Sequence, residues 1–304
     1  MSSTTTNQLK QQVSDLFARW AEQANIYAKR VLALPNDSFE KTIAVAFALC
    51  LVGAVLVSGS AVILKPLQVK NKAADEKVNI LEVVGMLDAN TNVDEVFKQF
   101  EPKLVDLESG DYTSFINPES FDQRKAAKDP GLSVEIPKDK DLAKIGRKSK
   151  FAKVYLVKEN GKVKAVILPV NGYGLWSTMY GFLALEGDGQ TVIGLNLFDQ
   201  GETPGLGGEV VNPKWKALWK GKKVYKESAE QGIEIQAKHH TEVGEPVLSL
   251  VKGSVDPSRA GAQHQVDGLA GATLTSNGVN NLVRYWLGSE GFAPYLAKLR
   301  SQRG

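Results

Sequence analysis

Cysteine occurs once in this chain of 304 residues, and histidine three times. One cysteine excludes an intrachain disulfide framework and any multi-cysteine zinc or iron–sulfur site, and three histidines leave little for a dedicated metal centre. Charge of one sign is missing too. The 37 basic and 34 acidic residues leave a formal net charge of +3, too balanced for nucleic acid or an acidic polymer to be the main partner. No Gly-Lys-Ser/Thr follows a glycine-rich loop and no GxGxxG follows a strand, so neither phosphate-loop signature is present. His239 and His240 are adjacent and His264 has no spaced partner, which removes Ser/His/Asp and Cys/His catalysis. At 43% hydrophobic and 23% charged residues, the chain is rich enough in apolar side chains for one or two packed domains.

The mildly negative mean hydropathy conceals one block, Thr42 to Leu64, that carries no charge. At 1.5 Å per residue it spans roughly 34 Å, enough to cross a hydrocarbon core of about 30 Å with some tilt. It reads as a transmembrane helix over 42–64. It starts too far from the N-terminus, and is too long, for a cleaved signal peptide. Gly53, Ser58, Gly59, Ser60 and Ala61 suit either close helix packing or ordinary lipid exposure. Orientation is undetermined, because Lys29, Arg30 and Lys41 precede the block while Lys65, Lys70, Lys72 and Lys77 follow it. Cys50 lies inside the block, so the larger C-terminal part gives no redox clue to its compartment.

Residues 1–38 form an N-terminal extension. Within it Leu9, Val13, Phe17, Trp20, Ala24, Tyr27 and Val31 recur at spacings of three and four, which predicts an amphipathic helix that is either interfacial or partner-docking. Pro35 and Asn36 separate it from the span. After the span, a helix is expected over 74–88 and a short one over 91–100 with Asn90 or Thr91 as cap. Residues 109–150 look polar and irregular, and the six basic residues between 138 and 150 form either a solvated loop or a docking patch. From 151 the period changes to strands. Asn160–Gly161 between two apolar runs is a strong two-residue hairpin signal, and Gly187–Asp188–Gly189 repeats the theme. A helix is expected over 277–287, capped by Ser276 or Asn277. The fold expected is α+β, with a single transmembrane helix followed by one domain over 66–304 with a mainly antiparallel sheet.

Three segments of that domain look chemical. NGYGLWSTMYG (171–181) crowds glycines, hydroxyls and aromatics at a strand-to-helix or strand-to-loop junction; Trp176 is either a packing surface for a planar ligand or a core residue. ETPGLGGE (202–209) is a loop of unusual path. DGLAGATLTSNG (267–278) places Thr273, Thr275 and Ser276 just before a helix, whose first amides and dipole favour an anion such as phosphate; the alternative is a hydroxyl-rich cap.

DGLAGATLTSNG resembles the threonyl-FMN attachment motif, in which the last Thr is esterified to the FMN phosphate. Together with GYGLWSTMYGFLALEGDGQTV, GETPGLGGEVVNPKWKALWKGK and HQVDGLAGATLTSNGVNNLVRYWLG, it makes the region 39–304 similar to the C subunit of the bacterial Na+-translocating NADH:quinone oxidoreductase. That resemblance implies an FMN-binding domain with covalent FMN on Thr273 and Asp267 read by the flavin transferase that takes FMN from FAD. It implies that Gly174, Leu175, Trp176, Ser177 and Thr178 lie along the flavin ring. Glu202, Thr203, Pro204, Gly205, Leu206 and Gly207 would close the pocket, and Gly271, Ala272, Leu274 and Thr275 would flank the attachment point. Ala270 stands where the motif prefers Ser or Thr, and Gln200 stands where His is expected. The resemblance further implies an inner-membrane, single-pass protein with a periplasmic C-terminal domain, assembled with the A, B, D, E and F subunits and closest to the B, D and E subunits. It would relay electrons from an iron–sulfur site toward the flavin of the neighbouring B subunit within a ubiquinone reductase, with membrane lipid around it and no NADH site, metal or nucleic acid of its own. A G-type subunit of the related Rnf complex, or a membrane-anchored docking element without flavin, are the alternatives.

Overall fold

The computed structural model describes residues 3–226 and 245–301; His239 and His240 lie outside them, as do the side chains of Leu9, Val13 and Phe17. Residues 1–72 and 73–304 form two compact units. The first holds helix α1 (Ser3–Ala33) and most of helix α2 (Phe39–Val83). The stripe and the apolar block expected to be helical both are. The expected break between the span and a separate 74–88 helix is absent, because Pro66 is tolerated and 65–83 offers no other helix breaker, so α2 runs unbroken to Val83. An apolar window of α2 is long and hydrophobic enough to span a bilayer, and none of it is buried in protein.

The second unit starts with the last turns of α2. Short helix α3 (Val93–Phe97) follows, capped by Asn92, whose side chain accepts from Glu95 N–H, rather than by Asn90 or Thr91. The next elements are β1 (Phe100–Asp106), β2 (Tyr112–Thr113), α4 (Gln123–Ala126), β3 (Ser133–Glu135), β4 (Arg147–Ser149), β5 (Phe151–Glu159), β6 (Lys162–Tyr173), β7 (Thr178–Glu186) and β8 (Val192–Asp199). Segment 109–150 is therefore not wholly irregular: β3 and β4 pair antiparallel within it. Its basic side chains are largely engaged by the domain itself, Lys140 with Glu290, Arg147 with Ser133 and Lys150 with Gly131 O, which favours the solvated loop over a docking patch. Helix α5 (Pro213–Ala217), β9 (Ser249–Val251), β10 (Gln265–Asp267), α6 (Thr273–Leu287) and α7 (Ala293–Ser301) complete the order. Helix α7 carries no strong sequence signal, because its apolar positions are few and its first turn contains Pro294.

The main sheet has six antiparallel strands in the order β2-β1-β5-β6-β7-β8, the α+β architecture expected. Its central strands read as near-continuous apolar runs, VYLV, AVILPV and FLAL, because both sheet faces are covered. One face packs beneath α6 and α7, burying Leu156, Leu168, Leu183, Val279, Leu282, Val283, Trp286 and Leu296. The other packs Ile167, Phe182 and Ala184 against Ile80, Leu81 and Val83 of the α2 tail. Polar pins add to that second contact. Asn196 donates to Glu82 and Asn79, Tyr155 donates to Glu76, and Lys216 pairs with Glu82. A Cβ at Gly194 would lie 2.5 Å from Val83 O, so only glycine lets the helix end rest on β8. Burying such residues contributes roughly 1.5–3 kcal/mol each, which makes Ile80, Leu81 and Val83 part of the domain core.

Candidate functional site

The candidate site assembles where three chain segments meet at one end of the sheet. The first is the tip of the β6–β7 hairpin, so the junction at 171–181 is a hairpin rather than a strand-to-helix turn. Gly174 N–H donates to Ser177 O at 2.8 Å and closes the tip. Trp176 is 66% exposed, which removes the core reading of this residue. Leu175 is exposed beside it, while Ser177 and Thr178 are half-buried. The Ser177 hydroxyl accepts from Gly201 N–H at 2.7 Å, tying the tip to the second segment.

That second segment is the loop 200–209. Thr203, Pro204, Gly205 and Leu206 are exposed, and Gly205 has φ +75°. Glu202 and Gly207 are buried. Gln200, which stands where His is expected, accepts from Glu202 N–H through its own side chain at 2.5 Å, so it shapes the loop locally.

Glu202 joins all three segments. Its Oε1 accepts from the amides of Leu175 and Trp176, each at 3.0 Å, and from Ser177 N–H at 3.5 Å. Its Oε2 accepts from Thr275 Oγ1 at 2.6 Å. Burial by itself raises the carboxyl pKa; the hydrogen bonds from Thr275 and from the amides of Trp176, Leu175 and Ser177 outweigh it, so the group sits below its ordinary value. The sequence points to Glu202 only as part of a pocket-closing loop. Its role as the link between tip and helix depends on partners 25 to 73 positions away, and no local pattern announces it.

The third segment is the start of α6. The helix begins at Thr273, after the uncapped residue Ala272, and not after Ser276 or Asn277. Ser276 and Thr275 are spent inside the fold: Ser276 Oγ accepts from Leu269 N–H at 2.9 Å, and Thr275 is 1% exposed with its hydroxyl on Glu202. Thr273 is exposed. Of the three hydroxyls in DGLAGATLTSNG, it alone is presented to solvent. The first helical bond, Ser276 N–H to Ala272 O, lies beyond the amides of Thr273, Leu274 and Thr275, the positive end of the helix. Gly271 turns with φ +72°, and a Cβ there would lie 3.2 Å from Leu206 Cδ2. Gly278 lets the helix approach the hairpin tip, since a Cβ would sit 2.6 Å from Tyr173 O; a glycine inside a helical period was the available signal.

Asp267 sits at the end of β10. Its Oδ1 accepts from Val255 N–H at 2.8 Å, and its carbonyl accepts from Trp215 Nε1 at 2.9 Å. Ala270 is exposed and makes no hydroxyl contact. His264 is buried with Nδ1 2.8 Å from Lys223 O, a satisfied core histidine. Among the described residues no group of three or more His, Cys, Asp or Glu is placed to hold a metal ion.

An exposed hydroxyl at a helix start, in a site whose three segments also present Leu274, Leu206, Leu175 and Trp176 to solvent, suits a ligand with an anionic tail and a planar apolar body. The comparisons agree with that chemistry. The FMN-binding domain family model matches residues 174–288, which contain all three segments except the first three residues of the 171–181 stretch. A Pseudomonas aeruginosa protein, named as the C subunit of Na(+)-translocating NADH-quinone reductase, is 48% identical over 269 residues, spanning 87% of this chain and 97% of that protein. One of the same name from Vibrio vulnificus is 45% identical over 266 residues, spanning 87% and 97%. The crystal structure of Shewanella oneidensis NqrC superposes with a TM-score of 0.65 at 34% identity, covering 76% of this chain and 99% of that one. With identity at this level over nearly the whole of both chains, this chain belongs to the NqrC family, the C subunits of the Na+-translocating NADH-quinone reductase, and carries that family's FMN-binding domain.

Proposed function

We propose that this chain is an electron-carrying flavoprotein subunit whose FMN is held by a phosphoester to Thr273. The observation that carries the reading is the division of labour among the motif hydroxyls: Thr275 and Ser276 are engaged by Glu202 and by Leu269 N–H, whereas Thr273 is exposed at the first residue of α6. Bound FMN supplies one- and two-electron transfer, which no side chain of the domain provides. The residues do the holding. The amides of Thr273, Leu274 and Thr275 would hold the phosphate, and Gly271 and Ala272 would let the backbone approach it. The tip residues Gly174, Leu175, Trp176, Ser177 and Thr178 would lie along the flavin. Thr203, Pro204, Gly205, Leu206 and Gly207 would close the pocket, with Glu202 holding the tip to the start of α6.

A tether that cannot dissociate allows the site to stay open, and the rim of Trp176, Leu206 and Leu274 is open. That suits a carrier which must bring a ring edge close to redox partners. Asp267 serves maturation in this reading: its carboxylate holds Val255 N–H and so shapes the surface a flavin transferase would meet. Family membership supports a wider reading, which we propose with it. The protein sits by its α2 span in the bacterial inner membrane, with the domain periplasmic and next to the B, D and E subunits, in a complex that passes electrons to ubiquinone. The test is coexpression with a flavin transferase followed by ultraviolet illumination of a denaturing gel. Wild type and Thr273→Ser should fluoresce and Thr273→Ala should not, while all three melt within about 1 kcal/mol of each other, since Thr273 makes no cap. A fluorescent Thr273→Ala band contradicts the proposal.

A further inference from the structure

Helix α1 is long, exposed and tied to the start of α2. Every described side chain from Gln11 through Arg30 is exposed, including Trp20 at 73% and Leu16, Ile26 and Tyr27. At about 100° of rotation per residue, Leu9, Val13, Leu16, Phe17, Trp20, Ala24, Tyr27 and Val31 fall in one arc roughly 100° wide. Asp15, Arg19, Glu22, Lys29 and Arg30 fall in a second arc of similar width on the other side, which also holds Ile26, and Lys10 at the far end lies beside the apolar arc. Of the described side chains on the apolar face, Leu16, Trp20, Ala24 and Tyr27 are exposed and Val31, next to the turn, is buried.

The turn between α1 and α2 says where that face must sit. Lys41 Nζ donates to Leu34 O at 2.9 Å, to Asn36 Oδ1 at 3.0 Å and to Leu32 O at 3.3 Å, so a residue in the first turn of α2 closes the last carbonyls of α1. Arg30 pairs with Glu40 across the same turn at 3.6 Å. Between Ala33 and Phe39 the chain can reach at most about 20 Å. With α2 entering a bilayer, the C-terminal end of α1 cannot leave the headgroup region.

We infer that α1 lies on the membrane surface on the side where α2 enters, its Trp20–Tyr27 face sunk into the boundary between headgroups and acyl chains. Trp and Tyr are the aromatic residues suited to that depth. The opposite arc mixes signs, with Asp15 and Glu22 against Arg19, Lys29 and Arg30, so apolar burial rather than attraction to anionic lipid holds the helix down. The tether makes this docking intramolecular, which favours it without any need for high intrinsic affinity. The inference rests on α2 being a membrane span, and it adds a second, in-plane contact for the part of the chain that precedes the span.

The experiment uses the full chain in phosphatidylcholine vesicles and again in the assembled complex. Single spin labels are read by their relative accessibility to oxygen, which concentrates in lipid, and to a nickel chelate, which stays in water. Native Cys50 reports on the span. On a Cys50→Ser background, Ala24→Cys and Tyr27→Cys report on the apolar arc, and Glu22→Cys and Lys29→Cys on the polar arc. The expected result is an oxygen-to-nickel ratio severalfold higher at positions 24 and 27 than at 22 and 29, in both samples, with Cys50 higher still. Nickel access at all four α1 positions with Cys50 protected overturns the inference and leaves the span intact. Protection of 24 and 27 from both reagents, appearing only in the complex, overturns it in favour of a protein partner. A nickel-exposed Cys50 removes the span and the inference with it.

Discussion

Strand β6 ends in two hairpin turns, and they are built on opposite principles. At its N-terminal end Asn160 and Gly161 turn with φ +51° and +76°, a two-residue connection that local chemistry specifies completely. At its C-terminal end the tip 174–177 takes its shape from Glu202, Gly201 and the flank of α6, all reached through the fold. The first turn serves only to reverse the chain. The second presents Trp176 and Leu175 to solvent, and a surface of that kind stays in place only if something behind it is rigid.

The contrast is broken most severely at Glu202. Glu202→Ala should leave three tip amides and the Thr275 hydroxyl without their acceptor and cost roughly 3 kcal/mol in thermal or denaturant unfolding. Glu202→Gln keeps the shape and should cost less. Because the folded carboxyl is held below its ordinary value of 4.5, its contribution is complete above that pH and is lost as pH falls through the lower folded value. Wild-type stability should therefore drop faster on acidification than that of Glu202→Gln. Equal acid profiles would show that the charge does not hold the tip.

Gly278→Ala comes next. The added methyl would meet the backbone at Tyr173 O and at Gly174, 2.9 Å from its Cα, so helix and tip must part, at a net cost of about 1–3 kcal/mol despite the better helix propensity. The same unfolding assay checks it, and a stabilised Gly278→Ala protein would contradict the close approach. At the other end of β6, Gly161→Ala at φ +76° should cost about 1 kcal/mol by strain alone and leave the spectrum of attached flavin unchanged. The smallest effect on stability is expected for Trp176→Ala, within about 0.5 kcal/mol for so exposed a side chain. That variant should keep its flavin and still change the visible absorption, since stacking on the ring would be lost. An unchanged spectrum removes Trp176 from the site.

The same division explains what can be read from the sequence. Asn160–Gly161, the apolar block of α2 and the stripe of α1 are local patterns, and each leads to the element found. The antiparallel sheet follows from the hairpins. Sequence pattern starts helix α6 four residues late, because Thr275 and Ser276 look like caps but make their hydrogen bonds with Glu202 and Leu269, inside the tertiary structure. The tail of α2 reads as a helix leaving the membrane; its burial against Phe182 and Ala184 depends on strand β7, about a hundred residues later. The motif segments themselves are visible as concentrations of glycine and hydroxyl, and resemblance supplies their chemistry. Their joining through one buried carboxylate is not visible in any window of the chain.

The central claim is that the fold leaves one motif hydroxyl available and that it carries the cofactor. Peptide mass spectrometry of the full chain, matured with a flavin transferase, tests this directly. The account predicts FMN on the peptide spanning 267–278, with fragment ions placing it on Thr273 and none on Thr275 or Ser276. An unmodified peptide, or FMN on either of the two engaged hydroxyls, would contradict it.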